Sequence, residues 1–159
     1  MIQNAQEYKL VFTGPMGAGK TTAVAAISDF PPVTTDVRNT DLARHPKSST
    51  TVALDYGEVT LEDAGRLRLY GTPGQERFSF MWSVLGTGAL GVVILLDNSA
   101  PDPLSDLAQF LDAHLDFARS GRVVVGVGRT ETHPSPSLQH YRDLMTQARL
   151  SVPVMSADV

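Results

Sequence analysis

Residues Gly14-Pro15-Met16-Gly17-Ala18-Gly19-Lys20-Thr21 match the pattern G-x-x-x-x-G-K-[ST] without a gap. Glycines at that spacing let backbone N–H groups converge on an anion, and a helix opening at the lysine adds its partial positive N-terminal charge. In such a loop Lys20 reaches the β- and γ-phosphates of a nucleotide and the Thr21 hydroxyl ligates Mg²⁺, with Thr22 next to it in the first helical turn. A plain glycine turn needs no Lys-Thr pair, so Gly14 to Thr22 is read as a nucleotide-binding loop.

That loop requires a strand before it and a helix after it. Tyr8 to Phe12 is a short apolar run, and from Lys20 to Phe30 the pattern turns helical, with Val24, Ile27 and the small Ala23, Ala25 and Ala26, until Pro31-Pro32 stops it. Val33 to Ser49, rich in Thr, Asp and Asn, reads as a long loop. Val52, Leu54 and Tyr56 then alternate with small or polar neighbours, Glu62 to Gly65 turns the chain, and Leu67 and Leu69 alternate with Arg66 and Arg68, an antiparallel hairpin.

Ala89 to Leu96 is a continuous apolar run of the kind found in a central parallel strand, ending at a binding edge, Asp97-Asn98-Ser99. Asp102 and Pro103 start a helix whose face is Leu104, Leu107, Leu111, Leu115 and Ala118, closed by Gly121. Arg122 to Val127 is a buried strand, Ser135-Pro136 opens another helix, and Val152 to Met155 is a last strand. Strands alternating with helices predict an α/β fold with a mostly parallel six-stranded sheet, one antiparallel edge strand, and a single domain over 1–159. The run stops at Val159, where such folds add one more helix; an uncovered sheet face there would favour a dimer.

Composition narrows the function. The 159 residues carry a formal net charge of -4, the wrong sign for a protein that mainly neutralises nucleic-acid or membrane phosphates. There is no cysteine, so thiolate metal sites, disulfides and cysteine nucleophiles are excluded. No apolar run approaches the ~20 residues of a membrane span. Neither a signal peptide nor a lipid-anchor motif is present, Ile2 standing where myristoylation needs glycine, so a cytoplasmic protein without nucleic-acid partners is expected. The histidines His45, His114, His133 and His140 lack metal-ligand spacing.

A second motif, Tyr70-Gly71-Thr72-Pro73-Gly74-Gln75-Glu76-Arg77-Phe78, ends the hairpin. With it the chain resembles a Ras-like small GTPase, a three-layer P-loop NTPase fold, and the T-P-G-Q-E-R-F form resembles the bacterial gliding-motility GTPases of the MglA type. The resemblance implies that the Gly74 amide senses the γ-phosphate and that Gln75 orients the attacking water. It also implies a first-switch threonine on Mg²⁺; Thr50 and Thr51 both qualify, and Thr51 is preferred because it directly precedes the alternating strand. Base recognition falls to Gly128-Arg129-Thr130-Glu131, where the family carries N-K-x-D: Arg129 would stack on the base and Glu131 would accept its paired hydrogen bonds. Ser156-Ala157 resembles the family's S-A-K element, with Asp158 replacing the lysine.

Two departures bear on mechanism. Gly71 stands where the family has a magnesium-side aspartate, with Asp55 the expected substitute, and Met16 crowds a loop position that fast hydrolysers keep small. Both predict slow turnover and an arginine supplied by a partner, with Arg44, Lys47 and Arg77 the basic residues that could act in cis instead. The resemblance therefore implies a GTP/GDP switch with Mg²⁺. It would meet effector and roadblock-type activating proteins through Thr50–Val52 and Gly74–Trp82, where Phe78, Phe80, Met81 and Trp82 concentrate apolar surface. The alternative is a scaffold that holds GTP or ATP with little hydrolysis.

Overall fold

The computed structural model describes residues 6–38, 51–62 and 65–159. In chain order the elements are β1 (Glu7–Thr13), α1 (Lys20–Ile27), β2 (Val33–Arg38), β3 (Thr51–Thr60) and β4 (Arg66–Gly71). A 3₁₀ turn at Glu76–Phe78 leads into α2 (Ser79–Gly86), then β5 (Gly91–Asp97), α3 (Pro103–Ala113), α4 (Leu115–Arg119), β6 (Val123–Gly128), α5 (Leu138–Gln147) and β7 (Val154–Ser156). The strands form one sheet in the order β2-β3-β4-β1-β5-β6-β7. β4, β1, β5, β6 and β7 pair in parallel, while β3 runs antiparallel to both of its neighbours.

The α/β class and the hairpin stand, but the sheet has seven strands rather than six. The extra one is β2, within the segment whose composition reads as a loop. Val33, Thr34, Thr35 and Val37 are β-branched, and their ladder with Val52 to Tyr56 supplies the hydrogen bonds a polar edge strand needs. The helix after β5 is also divided. Asp102 caps it as expected, its side chain accepting from the Ser105 amide at 3.1 Å, but at His114 the backbone leaves helical geometry (φ -122°, ψ 30°) before α4 begins. The last helix starts at Leu138 behind Ser137 rather than at Ser135-Pro136, because Ser137 and His140 cap each other.

Alternation along the central strands sorts the core onto two faces. Val11, Val92, Ile94, Leu96, Val123, Val125 and Val127 meet Trp82, Leu107, Phe110, Leu111, Tyr141 and Met145 on one side. Phe12, Leu69 and Leu95 meet Ala18, Ala23 and Val24 on the other. Central parallel strands flanked by helices on both faces put their carboxyl ends, and the loops there, at one edge of the sheet, the usual place for a ligand. Among the described residues no helix is long and apolar enough to cross a membrane.

His114 is buried, and burial pushes its imidazole below the ordinary 6.5. Its Nε2 has no hydrogen-bond partner. The folded state therefore holds His114 neutral while the unfolded chain takes up a proton as pH falls below 6.5, so stability declines on acidification through that value. Thermal melts between pH 7.5 and pH 5 should show this decline, and His114→Gln should make it shallower.

Candidate functional site

The loop after β1 is shaped by steric contact. Gly14 has φ 141°, and a Cβ at that position would stand 2.0 Å from the Leu95 carbonyl oxygen, so any other residue there would push β1 away from β5. Chain direction then reverses into α1, whose N-terminus has no side-chain cap and no acidic residue in its first turn. The Lys20 ammonium is buried and donates to the carbonyls of Gly14 at 2.8 Å and Pro15 at 2.7 Å. Burial lowers its pKa to about 8, against the nearby charge of Asp55.

The second motif lies directly against this loop. Thr72 donates its amide to Phe12 O at 2.8 Å and its hydroxyl to Thr13 Oγ1 at 2.9 Å, both hydroxyls being buried. A Cβ on Gly74 would stand 2.4 Å from the Met16 nitrogen, so the segment rests on the loop backbone with no room for a side chain. Gln75 Nε2 reaches Met16 Sδ at 3.6 Å, and Arg77 Nε donates to Gln75 Oε1 at 2.6 Å. Trp82, stacked on Phe110 with 4.2 Å between ring centroids, donates its indole N–H to Pro73 O at 2.7 Å. Of the aromatic cluster, Phe78 and Trp82 belong to the core, Met81 is half-buried and Phe80 is 61% exposed.

Asp55 comes to the same place from β3. Its Oδ2 accepts from Thr21 Oγ1 at 2.5 Å and its Oδ1 from Thr34 Oγ1 at 3.2 Å. Thr34 lies in a segment whose polar composition reads as a loop; its β-branched run Val33-Thr34-Thr35 is the strand signal there. Thr50, Arg44 and Lys47 lie outside the described residues, as does the side chain of Thr51, whose backbone begins β3 opposite Arg38.

These groups line one cleft of about 560 Å³. Met16, Gly17, Gly19, Lys20, Thr21 and Thr22 form one wall, Asp55 and Thr34 a second, and Thr72 to Gln75, Phe78, Arg129 and Val159 line the rest. At the Arg129 end the side chain expected to stack on a base is engaged by neighbouring polar groups. The Arg129 guanidinium is ion-paired with Asp97 and lies 3.3 Å from Ser99 Oγ, while its amide, held at φ 58°, donates to Asp158 Oδ1 at 3.0 Å. Burial pushes the Asp97 carboxyl up, but the Ser99 hydroxyl and amide together with Arg129 hold it below its ordinary value. Glu131 is exposed at the turn and Ser156 shares a 2.8 Å hydroxyl contact with Thr130; neither lines the cleft. Ala157 and Asp158 border a smaller hollow of about 60 Å³ beside it. The Ala157 amide donates to Val127 O at 2.9 Å, extending the β6–β7 pairing.

A family model described as a conserved hypothetical ATP-binding protein matches residues 32–121. The chain belongs to that family. It is also similar to an uncharacterized protein of Methanocaldococcus jannaschii, 31% identical over 93 residues, which are 58% of this chain and 53% of that protein. It is 25% identical over 143 residues to the Ras-related protein RABA2a of Arabidopsis thaliana, covering 88% of this chain and 58% of the relative. The Ras-related protein SEC4 of Candida albicans is 24% identical over 155 residues, with 94% and 67% covered. The chain thus spans little more than half the length of the first two relatives.

Among solved structures, the G domain of the T. maritima FeoB iron transporter superposes with a TM-score of 0.64 at 16% identity, over 96% of this chain and 88% of that one. A bacterial selenocysteine-specific elongation factor superposes at 0.63 and 12% identity, over 96% of this chain and 26% of that one. The fold is that of a P-loop NTPase G domain.

Two measurements probe this site. With Lys20 holding phosphate as the charged ammonium, affinity for a nucleoside diphosphate should fall as pH rises through about 8, by up to about tenfold per pH unit, when followed by isothermal titration. Trp82 is the chain's one tryptophan and is hydrogen-bonded to the segment beside Gly74. Its emission should therefore shift when a nucleotide fills the cleft, and Trp82→Phe should abolish the signal.

Proposed function

We propose that this chain is a guanine-nucleotide switch that binds GTP and GDP with Mg²⁺ and hydrolyses GTP slowly. The observation that carries the reading is the seating of Gly74 on the Pro15-Met16 backbone, 2.4 Å from a would-be Cβ to the Met16 nitrogen. A terminal phosphate gripped by the loop meets that segment first, so the position of Thr72 to Trp82 depends on whether the phosphate is present. The Ras-related relatives and the G-domain fold support guanine as the base.

Hard oxygen donors suit Mg²⁺, and the Thr21 hydroxyl beside the Asp55 carboxylate fits that chemistry. Thr21 and Thr51 would hold the ion, which supplies charge neutralisation across the β- and γ-phosphates. Lys20 holds the same phosphates by its buried charge. Gln75 orients the attacking water, and to do so its amide must leave Met16 Sδ and Arg77, an arrangement that supports slow intrinsic turnover. Arg77, whose Nε donates to Gln75 Oε1, is a cis candidate for the catalytic arginine; otherwise an activating protein of the roadblock type supplies one.

Effector and activating proteins read the segments Thr50–Val52 and Gly74–Trp82, with the exposed Phe80 as an anchor. In the finer reading the chain is of the bacterial MglA type, a cytoplasmic component of polarity or motility signalling. A second reading, a scaffold holding ATP with little hydrolysis, draws on the family description and on the commitment of the Ala157 amide to Val127.

Denaturing the purified protein and separating any released nucleotide by chromatography decides between the two. Guanine nucleotide is expected, and Lys20→Ala should release none. Gln75→Leu should slow single-turnover GTP hydrolysis on the order of tenfold or more. Uptake of ATP alone would favour the scaffold.

A further inference from the structure

Asn98 directly follows β5 and is buried, 3% exposed, with both amide protons and its side-chain oxygen engaged. Its Nδ2 donates to His133 O and, at 3.0 Å, to Pro136 O. Its Oδ1 accepts from the Tyr141 hydroxyl at 2.5 Å, and its backbone amide donates to Gly128 O at 3.1 Å. These partners fix the orientation of the amide, since two carbonyls require the NH₂ group and leave the hydroxyl to the oxygen. Tyr141 reaches in from α5, fully buried, and burial pushes its hydroxyl up to about 12, so it stays a proton donor.

Three of those four bonds end on the segment between β6 and α5. Asn98 grips it at its start through Gly128 and near its end through His133 and Pro136, while Tyr141 braces Asn98 from behind. Within the segment the His133 amide returns to Arg129 O at 2.9 Å. Arg129 stands at φ 58°, a left-handed conformation that a residue with a Cβ keeps only where its surroundings hold it. The neighbours of Asn98 act on the same residue, Asp97 and Ser99 holding the Arg129 guanidinium. Arg129 lines the nucleotide cleft. The Asn98 bonds therefore all serve the base end of the cleft and none reaches Lys20, Thr21 or Gly74 at the phosphate end. One base is told from another by a few polar groups held in place, so displacing this segment costs selectivity while phosphate binding continues.

We propose that Asn98 and Tyr141 are positioning residues for base selection, holding residues 128–136 so that Arg129 meets the base at a set place, without touching the nucleotide themselves. This rests on the nucleotide-binding reading above.

The test uses Tyr141→Phe, which removes one hydroxyl, and Asn98→Asp, which keeps the shape but turns an oxygen toward two carbonyls. Affinities for GDP, ADP and inorganic pyrophosphate are measured by isothermal titration with Mg²⁺, beside a thermal melt that shows each variant folded. The nucleoside diphosphate that wild type prefers, expected to be GDP, should bind each variant about tenfold more weakly, so that the preference shrinks while pyrophosphate affinity stays as in wild type. In an Arg129→Ala background, adding Tyr141→Phe should cost little further preference, because the residue through which it acts is gone.

Undiminished preference in folded Tyr141→Phe would overturn the proposal. Equal weakening of GDP, ADP and pyrophosphate would also overturn it, since that is the mark of a purely structural bond, and so would full additivity with Arg129→Ala. A wild-type protein that takes up GDP and ADP alike leaves no base selection to position and overturns it too. Binding of none of the three ligands by wild type removes the nucleotide-binding reading itself, and the Asn98 assignment with it.

Discussion

The site depends on the parallel ladder between β1 and β4. It pairs Phe12 with Gly71, so both strands end at the same level. One step beyond, the Thr72 amide and hydroxyl close onto Phe12 and Thr13. Those buried bonds sit where water cannot compete, and losing one partner would leave the other unsatisfied at a cost of about 1–3 kcal/mol. Two motifs more than fifty residues apart are thereby held in contact, and Gly74 can lie on the loop because nothing larger than hydrogen projects from it.

Charge in the cleft runs opposite to the charge of the molecule. The chain is acidic, yet the loop offers a buried ammonium and an uncapped helix N-terminus to an anion. Keeping Lys20 charged indoors is unfavourable, which is why its pKa falls to about 8. Two loop carbonyls and the field of Asp55 offset part of that cost, leaving a cation weakly hydrated and ready to exchange those contacts for phosphate oxygens. Asp55 thus acts on both sides of the loop, through Thr21 by hydrogen bond and on Lys20 through space.

The two ends of the cleft are built differently. At the phosphate end, close backbone approach does the positioning, and Trp82 ties that end to the core through Pro73 and Phe110. At the other end side chains dominate: Arg129 bridges Asp97 on β5 and Asp158 after β7, and the chain crosses there with a left-handed residue. The guanidinium is held by Asp97 and Ser99 and the backbone amide by Asp158, so Arg129 is tied at both its side chain and its main chain.

Local sequence determined the loop from Gly14 to Thr21, the strand before it, the apolar β5 and the Asp102 cap, because each is specified by neighbours in the chain: glycine geometry, a capping oxygen, an unbroken apolar run. The resemblance to small GTPases offered Asp55 as a candidate stand-in for a carboxylate missing at Gly71, though not how it reaches Thr21. Pairing between distant segments decided the rest. β2 became a strand because β3 supplied its ladder, despite a polar composition typical of a loop. The Ala157 amide went to Val127 because β7 joined β6, and Thr34 reached Asp55 only once β2 lay beside β3. Composition and periodicity describe what a segment prefers alone; hydrogen-bond partners and the space left by a glycine belong to the neighbouring strand, and only the folded sheet specifies which strand that is.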